Sequence, residues 1–288
     1  MFRLMLIMVL FLSTAMSSAD ETKTGRMTGV LAHKDGRPLN YGFIYLFDHF
    51  SGPPPVIEKY WRIPDEIFEI DENGRFDIEL FPSTYYIAYI KHSDPYDVGP
   101  PKKGELILIS RDSKGQLVSY SLKAGEVRDI GKLSEAIPFD PVMARSSDKN
   151  ITAIEGRIVG KDGKPIAGVP VFAFMTPASI GRPLFTSERT DINGNFLLRV
   201  DKGGTYYLKV RGHYGGGKPD HDSVLDGEKD EQLAAVYVET GQIVKGVLNK
   251  ELTQRGPKSK RKIMEYEQRR TSGNGKTDGH DKNTLPGE

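Results

Sequence analysis

No cysteine occurs among the 288 residues. Its absence excludes disulfides, a lipid anchor on an N-terminal cysteine, c-type haem attachment and thiol chemistry, so folding rests on packing alone. Charge of one sign is lacking too: 40 Lys and Arg face 39 Asp and Glu, a formal net charge of +1. Such a balance gives no whole-molecule field to draw nucleic acid or an anionic membrane, and a nucleic-acid partner is excluded from the expectations. Long apolar runs are missing as well. The N-terminal run Leu4 to Leu12 is too short for an ordinary membrane span. Nucleophile elbows, histidine pairs at helical spacing and phosphate-cradling glycine loops with Lys and Ser or Thr are also lacking, so the sequence predicts no enzyme and no cofactor.

What is abundant is turn and strand chemistry. Gly at 31 and Pro at 18, with 13 Tyr and 13 Phe, point to many turns and aromatic-rich strands rather than long helices, an all-β profile. At the N-terminus, Arg3, the apolar run and the small residues Ser17, Ser18 and Ala19 read as a signal peptide over 1–19, with cleavage between Ala19 and Asp20. A periplasmic, secreted or cell-surface location of bacterial type follows. A membrane is a partner only if that segment stays uncleaved.

An internal repeat organises the rest. Gly29 to Leu39 (GVLAHKDGRPL) runs parallel to Gly156 to Ile166 (GRIVGKDGKPI), Asp71 to Phe76 to Asp191 to Phe196, and Ser83 to Tyr86 to Gly204 to Tyr207. Between its two turns the first copy carries an elaborated loop containing Pro53, Pro54, Pro55 and Trp61. The pairs Asp35-Gly36, Asn73-Gly74, Asp162-Gly163 and Asn193-Gly194 predict four hairpins closed by tight primed turns, where Gly and Asn tolerate positive φ. Alternation after them (Phe76, Ile78, Leu80; Phe196, Leu198, Val200) predicts strands with one buried and one wet face. The sequence therefore predicts two tandem Greek-key β-sandwiches, a divergent one over 20–133 and a second over 151–252. Ser134 to Asn150 reads as a linker that lets them move, and 253–288 as a basic, polar, disordered tail.

The order strand, Asp-Gly-Lys-Pro-Ile-Ala-Gly-Val, strand, Thr-Asp-Ile-Asn-Gly-Asn-Phe, strand, Gly-Gly-Thr-Tyr-Tyr-Leu-Lys-Val, running from 162 to 210, resembles the carboxypeptidase regulatory-like domain. The resemblance implies a transthyretin-like sandwich of about seven strands, used as an accessory module without catalytic residues of its own.

Candidate sites are few. Phe50, Tyr60 and Trp61, on the elaborated loop beside the prolines, form a candidate aromatic surface for a protein partner or a polysaccharide, since a loop has little core to fill. Asp220, His221 and Asp222 could ligate a divalent cation, although their spacing matches no metal loop and a solvated loop explains them as well. The basic segment Lys258 to Arg270 reads as a solvated tail. Three readings follow: a non-catalytic adaptor of the cell envelope that presents sandwich loops to another protein; a carbohydrate-binding protein using the loop around Trp61; and, least favoured, a metal-assisted hydrolase using His221.

Overall fold

The computed structural model describes residues 23–95, 97–142, 150–160, 162–177, 182–210, 214 and 234–252. The leader, the Asp220–Asp222 loop and the tail lie outside the described residues.

The chain is all-β, as its composition predicts, and its strands form two sandwiches built to one plan. In the first, β1 (Gly25–Leu31) is flanked by antiparallel β5 (Arg75–Leu80) and parallel β9 (Val127–Leu133). Facing it, β2 (Phe43–Asp48) pairs with β4 (Glu66–Glu69) and with β6 (Ser83–Lys91). The N-terminal half of β6 pairs with β8 (Ser119–Leu122) and its C-terminal half with β7 (Leu106–Ile109), which takes β10 (Ile137–Pro138) on its far side. The second sandwich repeats this with β11 (Thr152–Gly160) between β14 (Asn195–Val200) and β17 (Ile243–Leu252), and with the order β16 (Ala234–Val238), β15 (Gly204–Val210), β12 (Val171–Phe174), β13 (Phe185–Thr186) in the facing sheet. Seven strands are common to the two copies. The remaining one, β3 (Trp61–Arg62), belongs by sequence to the first sandwich and by pairing to the second.

The repeated glycines explain why the copies fold alike. A Cβ on Gly29 would lie 2.6 Å from the Phe76 ring, and one on Gly156 would lie 2.7 Å from the Phe196 ring, so each Phe closes over a bare backbone on the neighbouring strand. Around them sit the two inner cores, with Met27, Ile44, Leu46, Ile78 and Ile87 in the first and Ile154, Val171, Leu198 and Leu208 in the second.

Three expectations are corrected. The turns are not two-residue primed hairpins. In each, a backbone bond closes four residues (Gly36 N–H to His33 O at 2.9 Å, Gly74 to Asp71 at 3.1 Å, Gly163 to Gly160 at 2.9 Å, Gly194 to Asp191 at 2.9 Å) with the Gly, at φ of +72° to +90°, as the fourth. Asp71 and Asp191 fix the form by accepting two backbone N–H bonds each, those of Asn73 and Arg75 and those of Asn193 and Asn195. The Asn73 and Asn193 turns join strands of opposite sheets rather than close hairpins. Second, β2 and β6 are buried on both faces: Tyr45, Phe47, Tyr86, Ala88 and Ile90 point away from the inner core into a second cluster with Ile57, Trp61 and Phe139. Third, the segment read as a linker is structured at its start. Ile137 pairs with Ile107, and Phe139 is buried, its N–H donating to Glu105 O at 2.7 Å.

Candidate functional site

The elaborated loop is where the two copies differ most, and it forms a seam between the sandwiches. After Asp48 the chain turns through the three prolines and arrives at β3, which adds to the open edge of β13 with Thr186 opposite Trp61 and Phe185 opposite Arg62. The pairing continues with Ile63 N–H donating to Leu184 O at 2.9 Å. Successive side chains of an extended segment point oppositely. Tyr60 therefore enters the core of the second sandwich, edge-on to Phe185 with centroids 5.2 Å apart, while Trp61 packs on the outer face of the first, edge-on to Phe139 at 5.7 Å.

Arg62 is buried between them. Its guanidinium donates to Asp48 O (2.6 Å), Gly52 O (3.2 Å), Pro53 O (2.6 Å), Ser51 Oγ (2.6 Å) and Asp65 Oδ2 (2.8 Å) and lies over the Phe47 ring. Burial lowers its pKa and the Asp65 and Asp48 carboxylates oppose that shift, so the loop is folded around a satisfied cation. On the other flank, Arg189 of the second sandwich bonds the buried carboxylate of Asp97 at 3.3 Å and stacks on Tyr214, whose hydroxyl donates to Ser187 O at 2.6 Å. Lys102 completes that cluster, 2.8 Å from Asp97. Burial raises the Asp97 pKa, but the bonds from Lys102 and Gly99 N–H and the charge of Arg189 outweigh it and hold the group below the usual carboxylate value.

Behind the seam runs a buried chain of titratable groups. Tyr45 O–H lies 3.0 Å from His92 Nε2, and His92 Nδ1 lies 2.9 Å from Glu105 Oε2. Glu105 also accepts the backbone N–H of Ser93 and Lys102 at 2.8 Å each. Burial pushes the Glu105 carboxyl up, and those N–H groups and the imidazole more than reverse it; burial, with Asp97 and Glu105 nearby, raises the Tyr45 hydroxyl far above its ordinary value. Hydroxyl, imidazole and carboxylate in a row can relay a proton, but all three are sealed under the loop. The adjoining cavity, lined by Tyr45, Trp61, Arg62 and Tyr214, holds about 50 Å³, far below a ligand pocket of about 300–1,000 Å³. The chain of groups orders the 92–105 connection.

These positions correct the aromatic-surface expectation. Tyr60 and Trp61 are 2% and 7% exposed and serve the seam, so neither offers a face to a sugar or a partner; Phe50 is 80% exposed. Phe50 stands at the end of the first sandwich where β1 begins, and the loop bearing it is tied to the β5–β6 corner by Ser83 Oγ–H donating to Asp48 Oδ1 (2.8 Å) and His49 N–H donating to Thr84 O (2.8 Å). That corner carries a second bare aromatic, Phe81, at 64%. Sequence reasoning missed Arg62, Asp97, Arg189, His92 and Glu105. A charge directly after two aromatics was a usable signal for Arg62; Asp97 and Arg189 are 92 residues apart and had none. Among the described residues no group of His, Asp and Glu could hold a metal, and no helix is long and apolar enough to cross a membrane.

No family model matches the chain, and no curated protein does. Among solved structures it is similar to the Bacillus anthracis TIE protein (12% identity, TM-score 0.26, over 79% of this chain and 34% of that one). It is also similar to the major pilin subunit of Bacillus cereus (10%, 0.23, 80% and 100%) and to a DUF3823 family protein from Parabacteroides merdae (11%, 0.23, 66% and 91%). The chain thus spans about a third of the first of these. Likenesses at this level leave the fold to be argued from the sheets themselves.

Proposed function

We propose that the chain is a non-catalytic, exported binding protein of the cell envelope, in which two sandwiches are fused into one rigid body that presents its loop-bearing end to a protein partner. The observation that carries this reading is the seam. A chain that spends its elaborated loop, an arginine with five bonds and a cross-module strand on fixing two modules together is built to hold a geometry, and the described clefts near its titratable groups are too small or too closed for turnover. The resemblance to carboxypeptidase regulatory-like domains, with seven strands per copy, supports the same accessory role. The presented surface is the end bearing Phe50 and Phe81, large apolar rings held on hydrogen-bonded loops. Export through a cleaved leader places that end outside the cytoplasm.

The test is a crosslinked pull-down from the native envelope with the intact protein and with Phe50→Ser/Phe81→Ser, read by mass spectrometry. One envelope protein captured by the intact chain and lost at least about ten-fold with the double variant is expected. Equal capture by both, or no protein enriched by either, refutes the assignment of this surface.

A further inference from the structure

A groove on the first sandwich is independent of the seam and of the Phe50 end. It encloses about 550 Å³ between the edge of β7, the short strand β10 and the loop around Glu58. Its apolar lining is four isoleucines, Ile57, Ile107, Ile109 and Ile137, while Glu58, Asp112 and Glu135 stand around it. Arg111, also in its wall, is held by both oxygens of Glu58 at 2.9 and 3.0 Å, so the uncompensated charge comes from Asp112 and Glu135. Glu135 has one cation near it, Lys34 at 3.5 Å, with both side chains mostly exposed, a contact that water screens heavily. An apolar trough with an acidic border fits a cationic segment that also carries apolar side chains.

One such segment is in the chain itself. Residues 258–270 read Lys-Ser-Lys-Arg-Lys-Ile-Met-Glu-Tyr-Glu-Gln-Arg-Arg, six positive charges against two negative, with Ile263, Met264 and Tyr266 among them. We propose that this segment docks in the isoleucine groove of the same molecule, with Ile263, Met264 and Tyr266 on the isoleucine floor and the flanking Lys and Arg against Asp112 and Glu135. Length permits it. β17 ends at Leu252, paired with Gly160 of the second sandwich, and at about 3.3 Å per extended residue the stretch 253–262 spans about 30 Å, the height of a sandwich. Docking makes the tail a strap from the second sandwich to the first, and leaves the groove closed to any other cationic peptide until the strap is displaced.

The absence of cysteine makes the test direct, because any two cysteines introduced are the only pair. In the full-length protein, Met264→Cys is combined either with Ser113→Cys at the groove or with Lys164→Cys on the second sandwich, close to where the tail begins. A tail moving freely meets the Lys164 position at least as often as the groove, since it is tethered nearby. Under mild oxidation the Ser113 pair is expected to close an intramolecular disulfide at least about ten-fold faster than the Lys164 pair. Asp112→Lys/Glu135→Lys in the Ser113 background is expected to slow closure about ten-fold, and 1 M salt to slow it similarly. Faster closure at Lys164, disulfide-linked dimers in place of closed monomers, or a rate indifferent to charge reversal would each overturn the proposal, the dimers by placing the tail on a second copy.

Discussion

Gly156 is held glycine by its neighbours: a Cβ there would stand 2.1 Å from Val247 O and 2.7 Å from the Phe196 ring. Gly163, in the turn just after β11, has the opposite problem, with open space around it but a φ of +75°. Gly156→Ala is therefore expected to cost about 3 kcal/mol, from overpacking between strands, and Gly163→Ala about 1 kcal/mol, from backbone strain alone. Urea unfolding separates the two. Also at this scale, Asp97 and Glu105 both have folded-state pKa values below their ordinary 3.8 and 4.5. A group depressed on folding contributes stability above its unfolded pKa and loses it as pH falls through the folded one. The melting temperature should thus be insensitive to these two between about pH 7 and 5 and fall below about pH 4.5, and Glu105→Gln should flatten that acid limb while lowering stability at neutral pH.

Among the elements, β3 is the one whose role its sequence conceals. Two residues of ladder give little by themselves, but they place Tyr60 in one core and Trp61 in the other. Tyr60→Ala is expected to destabilise the protein by about 3–5 kcal/mol, as for any large buried aromatic, whereas Phe50→Ala on the same loop should change stability by less than about 0.5 kcal/mol. Chemical denaturation of the two variants checks the contrast. The inner faces of β1, β5, β11 and β14 were legible because their outer faces stay wet and the period of two survives, as in Phe76, Ile78 and Leu80. In β2 and β6 it is lost, because the seam loop and β10 bury the second face as well. The same effect hides Arg199, which stands on the outer face of β14 yet is 4% exposed and donates to Glu58 O of the first sandwich. The Asp-Gly and Asn-Gly pairs announced where the chain would turn; whether each closed a hairpin or crossed between sheets depended on which strand waited on the other side.

For the whole molecule, the seam predicts cooperativity. Strand pairing from β3 to β13, the Asp97–Arg189 bond at 3.3 Å and the Arg182 guanidinium bonding Pro64 O at 3.1 Å all cross between the sandwiches. Calorimetry of the intact chain should show one unfolding transition, and Tyr60→Ala/Arg189→Ala should split it into two, one per sandwich. A variant that still melts once would mean that the remaining contacts suffice to couple them. By itself the sequence determined the all-β class, the duplication and the position of every turn that carries the repeat, because these depend on alternation, glycine and the short-range bonds of Asp and Asn, which act within a few residues. Only the tertiary structure decided that the aromatic loop faces inward, that the two sandwiches share a strand and that a charged residue could be buried between them. Those outcomes depend on which surfaces remain uncovered once each sandwich has formed, a property of two folded bodies that no local pattern encodes.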